Sequence, residues 1–171
     1  MSVNDTSQSE TVISVSAKHD VGVFLLVADK SDEFSKALRY ASRLADYSGA
    51  HIGLVYIMEE QGFQHWGNIE ERMREEMRKE AEQYLFDVAN TVREITGKSP
   101  AFYIQQGAKA DTLVSLINED RTIKMLILGG DIHGSPGPLV AHFSGKGLGL
   151  LRVPLTVVPG HLEMSEIDNI F

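Results

Sequence analysis

"LILGGDIHGSPGPLV" occupies residues 126–140, and its reading decides the fold. An apolar run stops at Gly129-Gly130, and Gly134, Pro136, Gly137 and Pro138 follow. A short unbroken apolar run bounded by turn residues reads as a strand buried on both faces, because a strand wetted on one face would alternate. The glycine-rich stretch after it is then a strand-to-helix loop. Such a loop can bring backbone N–H groups close to an anion, helped by the partial positive charge at the next helix start. It can equally be a loose turn with nothing bound. It lacks the Gly-Lys-Ser/Thr ending of a Walker A loop and the spacing of a dinucleotide fingerprint.

Working outward, "VGVFLLVAD" (21–29) and "HIGLVYIM" (51–58) are two more near-continuous apolar runs of strand length. Between them Phe34, Ala37, Leu38, Ala41, Leu44 and Ala45 recur at helical spacing, with Ser31 placed to cap the start and Gly49 to close the end. A long helix is expected over about 69–96, since Met73, Met77, Ala81, Tyr84, Leu85, Val88, Val92 and Ile95 are separated by charged residues. "AFYIQQG" (101–107) reads as the next strand and "ADTLVSLINED" (110–120) as a short helix. "LVAHFSGKGLGLLR" (139–152) is expected to be helical, although each of its three glycines weakens a helix by about 1 kcal/mol relative to alanine. "VPLTVVPG" (153–160) closes the series as a strand.

Strands alternating with helices predict an α/β fold: an open five-stranded parallel sheet with helices on both faces, joined by right-handed crossovers. Residues 1–19, rich in Ser, Thr, Asn and Asp, read as a flexible arm, 20–160 as the domain and 161–171 as a C-terminal tail. In such sheets ligands bind beyond the carboxyl ends of the strands, at the point where strand order reverses. Two loops therefore matter most, Asp29 to Ser31 and Gly129 to Pro138. The Asp29 carboxylate can accept hydrogen bonds from an adenine or a ribose, or it can cap the helix that begins two residues on.

Bulk properties exclude several classes of function. The chain of 171 residues is 43% hydrophobic, enough for one domain with a sizeable core. No apolar run reaches the ~20 residues of a membrane span, and the N-terminal residues have no signal-peptide pattern. There is no cysteine, which removes disulfides and thiolate chemistry and fits a cytoplasmic protein. A net charge of −8 argues against nucleic-acid binding, which needs a positive surface. His65 and Trp66, before the long helix, either wall a pocket or pack over the sheet edge. His133 and His142 flank the glycine segment without metal-ligand spacing, and there is no Gly-x-Ser-x-Gly elbow. No catalytic constellation emerges.

Taken together, "LLVADKSDEFSKALRYA", "HIGLVYIM", "QQGAKADTLVSLI" and "MLILGG…VPLTVVPG" resemble the universal stress protein family over about four-fifths of the chain. The resemblance implies a Rossmann-like sheet of the adenine nucleotide α-hydrolase-like type, dimeric through the last strand, acting in stress response or signalling without catalysis. Members that bind ATP carry an Asp after the first strand, an apolar residue near the end of the second, and a loop G-x2-G-x9-G-[S/T]. Asp29 and Ile57 match the first two, and Gly129 matches the opening of the loop by position. Gly134 and Gly137 supply the x2 spacing and lead to Gly147, which Leu148 follows in place of Ser or Thr. The nearest small pair is Ser144-Gly145, in reversed order, with Lys146 beside it as a point charge for an anion. ATP or AMP is thus the implied ligand, bound weakly. The alternatives are an ATP-binding, weakly hydrolysing protein and an interaction module with an empty site whose long helix and tail meet a protein partner. The first loop, "ADKSDEF", has no glycine and does not fit the ATP-pyrophosphatase members of the superfamily.

Overall fold

The structure is a computed structural model that describes residues 21–59, 67–133 and 135–171, the side chains of 67–70 excepted. The N-terminal arm, His65, Trp66 and Gly134 lie outside the described residues. At its centre is β1 (Val23–Val27), four of whose five side chains are buried. Phe24 and Leu26 point to one face and Leu25 and Val27 to the other, each into its own apolar cluster. Burial on both faces is the reason this strand shows no alternation.

Helix α1 (Asp32–Ser48) starts where the Ser31 hydroxyl accepts the Phe34 N–H at 3.1 Å, and Asp32 and Glu33 place negative charge at its positive end. Gly49 closes it at φ +78°, a conformation that a side chain would oppose. β2 (His51–Met58), α2 (Gly67–Thr96) and β3 (Ala101–Gln106) carry the chain outward along the sheet. α3 (Lys109–Glu119) returns it to β4 (Ile123–Gly130), and β5 (Leu155–Pro159) lies beyond. The strand order is β3-β2-β1-β4-β5, all parallel. The order reverses between β1 and β4, so the crevice lies at their carboxyl ends.

One face packs Phe34, Leu38 and Ala41 of α1 with Leu85, Val88 and Val92 of α2 onto Leu26, Leu54 and Ile127. The opposite face packs Leu113 and Ile117 of α3 with Val140 and Phe143 of α4 (Pro138–Phe143) onto Leu25, Val55 and Leu126. The sheet is therefore covered on both sides, as the sequence predicts. In α2 the burial begins at Ala81, and none of the side chains from Glu71 to Glu80 is fully buried.

The segment 139–152 departs from expectation, because it is not one helix. α4 ends at Phe143, the Ser144 hydroxyl donates to the Val140 carbonyl at 2.6 Å, and Lys146–Leu150 forms a separate 3-10 turn. Gly147 explains the tightness of this turn, since a Cβ there would overlap the His142 ring. Beyond β5, α5 (Met164–Asp168) crosses α1. Its Ile167 is fully buried, and Asp168 receives Arg39 Nε and Nη2, each at 2.7 Å.

Candidate functional site

The crevice contains a cavity of about 130 Å³ where β1, β4 and the starts of α1 and α4 converge. Its apolar walls come from Val27, Phe34, Ile127 and Leu139, and its polar lining from Asp29, Ser31, Glu33, Lys109 and Asp131. Among the residues singled out from sequence, Asp29, Gly129 and Gly137 line it. Ile57 is buried one strand over, in the cluster with Val27 and Leu113, and does not line the cavity. Ser144, Gly145 and Lys146 lie past the end of α4 and do not line it either, and Gly134 is outside the described residues. His133 is exposed, and His142 stacks edge-on against Phe143.

Asp29 fulfils a local duty as well as facing the crevice. Its Oδ1 accepts from the Ser31 N–H at 2.9 Å and from the Ser31 hydroxyl at 2.5 Å. The same serine caps α1, so Asp29, Ser31 and the first turn of α1 form one hydrogen-bonded unit. The backbone of this unit is pinned from across the sheet face, because the Tyr84 hydroxyl of α2 donates to the Asp29 carbonyl. Tyr84 also meets Phe34 and Tyr56 through its ring, with Lys30 Nζ 5.8 Å from its centroid. Burial, followed by the charges of Asp29 and Tyr56, pushes the Tyr84 hydroxyl up to about 12.

Gly129 has a steric role that the sequence does not announce. A Cβ at this position would stand 2.5 Å from the Glu33 carbonyl oxygen, so the first turn of α1 can rest on β4 only if the residue is glycine. The reading of this residue as part of an anion cradle thus has a packing explanation beside it. Glu33, Lys109 and Asp131 are lining residues that the sequence did not single out. Asp131 could have been found from its place directly after the Gly129-Gly130 pair, and Lys109 from its place at the start of α3, opposite the same crevice. Lys109 Nζ lies 3.6 Å from Glu59 Oε2, and Asp131 Oδ1 accepts the His133 N–H at 2.8 Å. Among the described residues, no group of three or more His, Asp or Glu side chains could hold a metal, and no helix is long and apolar enough to cross a membrane.

Comparison with known proteins places this geometry. The model of the universal stress protein family matches residues 22–159. Among solved structures, the universal stress protein UspA from Lactobacillus plantarum is similar with a TM-score of 0.67 at 13% identity, over 81% of this chain and 97% of that one. A universal stress protein from Archaeoglobus fulgidus in complex with dAMP is similar with a TM-score of 0.55 at 18% identity, over 80% and 95%. A universal stress protein in complex with cAMP gives a TM-score of 0.55 at 15% identity, over 81% and 97%. At these identities the likeness is one of fold. No curated protein matches the chain.

Proposed function

The chain belongs to the universal stress protein family, and from that premise we propose that it is a non-enzymatic, cytoplasmic stress-response or signalling module holding a small adenine-based ligand in its crevice. The observation that carries the reading is the cavity at the reversal of strand order, lined by Asp29, Gly129 and Gly137. Two proteins of the same fold are complexes with cAMP and dAMP, which supports an adenine-class ligand. A triphosphate is disfavoured by the loop itself. Pro136 and Pro138, both in the lining, have no N–H to donate. Each charge-assisted hydrogen bond contributes about 1.5–3 kcal/mol, so the loss of two lowers affinity for ATP by roughly 3–6 kcal/mol. We further infer a homodimer through β5, which forms one edge of the sheet and exposes 38% of Val157.

The test is a thermal-shift panel of adenosine, AMP, cAMP and ATP on the purified chain, joined to mass spectrometry of small molecules released on denaturation. Stabilisation by at least one adenine compound, or its release from the protein, is expected. No shift with any of them and nothing released would sink the ligand-holding reading in favour of an interaction module.

A further inference from the structure

We propose that the crevice takes an uncharged nucleoside and turns away its phosphorylated forms, with Glu33 and Asp131 setting that preference. This rests on the reading of the crevice as an adenine site and names the class of ligand within it. Charge is the first ground. Asp29, Glu33 and Asp131 line the cavity, and Lys109 is the one cationic side chain among the described lining residues. Lys109 Nζ also lies 3.6 Å from the Glu59 carboxylate, in a pair whose two side chains are both more than a third exposed. A phosphate dianion placed there meets three carboxylates and one shared ammonium. In the partly desolvated mouth of a cleft, this repulsion is screened less than on an open surface.

Donors are the second ground. Phosphate sites are built from converging N–H groups. Here two lining residues, Pro136 and Pro138, have no N–H. The Ser31 and Phe34 N–H groups are already given to Asp29 and to the Ser31 hydroxyl, which leaves few donors beyond Leu139 and Val140 at the start of the six-residue α4. Size is the third. About 130 Å³ is well below the ~300–1,000 Å³ of cavities that enclose larger ligands. The space suits one ring system and part of a sugar.

The same carboxylates that repel phosphate are acceptors for ligand hydroxyl and amine donors. Asp29 is held in place by its two bonds from Ser31, both on Oδ1. Its Oδ2 has no hydrogen-bond partner among the described residues and can accept from a ligand hydroxyl. Val27 and Phe34 provide apolar surface for a base. Donor recognition at the rim and apolar packing within describe a neutral nucleoside.

Isothermal calorimetry on the full chain with adenosine, AMP and ATP tests this. Adenosine is expected to bind at least about tenfold tighter than AMP, and AMP tighter than ATP. Asp131→Asn, and separately Glu33→Gln, should narrow the adenosine-to-AMP gap by about threefold or more while adenosine itself changes less. Melting temperatures establish that each variant is folded, and Asp131→Asn carries the test if Glu33→Gln disturbs the first turn of α1. AMP or ATP binding as tightly as adenosine to the wild-type chain would overturn the proposal and leave the adenine-site reading standing. An unchanged gap in folded variants would overturn the roles given to Glu33 and Asp131. If none of the three binds at millimolar concentration, the proposal is overturned, and the adenine-site reading falls with it when cAMP gives no shift either and nothing is released on denaturation.

Discussion

At the scale of single residues, Gly129 and Tyr84 show how the crevice is held together. Gly129→Ala would place a methyl group 2.5 Å from the Glu33 carbonyl, against backbone that cannot rotate away as a side chain could. Overpacking of this kind costs about 1–3 kcal/mol, and chemical denaturation should show a loss in that range. A wild-type midpoint would mean that α1 can shift freely on β4. Tyr84→Phe keeps the ring contacts but removes the hydrogen bond to the Asp29 carbonyl, at about 0.5–1.5 kcal/mol. The sign of its pH dependence follows from the raised value. Folding lifts the hydroxyl from 10.0 to about 12, so the fold favours the neutral form. The associated stability is complete below pH 10 and is lost as pH rises through about 12. Tyr103, also lifted to about 12 by burial and by its bond to Asp120, acts in the same window. The alkaline fall in stability should therefore be shallower in Tyr84→Phe, and an unchanged slope would show that Tyr84 titrates as it does in the unfolded chain. Asp29 and Gly129 were legible because position after an apolar run is a one-dimensional property. Tyr84 was not, since it lies 55 residues from Asp29 along the chain and only the packing of α2 across the sheet brings them together.

At the scale of elements, local chemistry and apolar patterning carried the strands and the longer helices. β1, β2 and β4 are buried on both faces along most of their length, so their apolar runs are near-continuous, with Lys124 the exposed exception in β4. β1 is shorter than the 21–29 run that announces it. α1 has a cap at each end written into Ser31 and Gly49. The failure at 139–152 has a physical cause. Apolar spacing continues past Phe143, but Gly145, Gly147 and Gly149 remove the propensity that would sustain a helix, and the closeness of Gly147 to the His142 ring fixes a tighter turn instead. α5 was illegible for the opposite reason: five residues are too few for a periodic signal, and the helix is held by tertiary contacts. Those contacts make a prediction. Ile167 is fully buried between α5 and the rest of the domain, so Ile167→Ala should cost about 2–5 kcal/mol in denaturant unfolding. A loss below about 0.5 kcal/mol, the scale of ordinary surface changes, would mean that α5 frays without consequence. The Arg39 hydrogen bonds, then its charge and that of Arg43, hold the Asp168 carboxyl below its ordinary value. The contact should therefore hold above the ordinary carboxylate range and weaken as pH falls through the lowered value. Asp168→Asn should flatten this acid limb.

At the scale of the whole molecule, the inferred dimer sets an apolar strand edge against a like-charged surface. β5 pairs with β4 on one side only, which leaves its other edge and the partly exposed Val157 for a second copy. A symmetric contact there would bring together two chains that each carry a net charge of −8. Apolar burial favours association and long-range repulsion opposes it, and only the repulsion is screened by salt. The dimer should therefore strengthen as ionic strength rises, the reverse of what an interface built on ion pairs would do. Light scattering at micromolar protein across a salt series reads this directly. Val157→Lys adds a charge on each copy where the two edges meet, and it should move the population toward monomer at every salt concentration. Two results would remove β5 as the interface: a wild-type chain that stays monomeric even at high salt, or a Val157→Lys variant that dimerises as the wild type does.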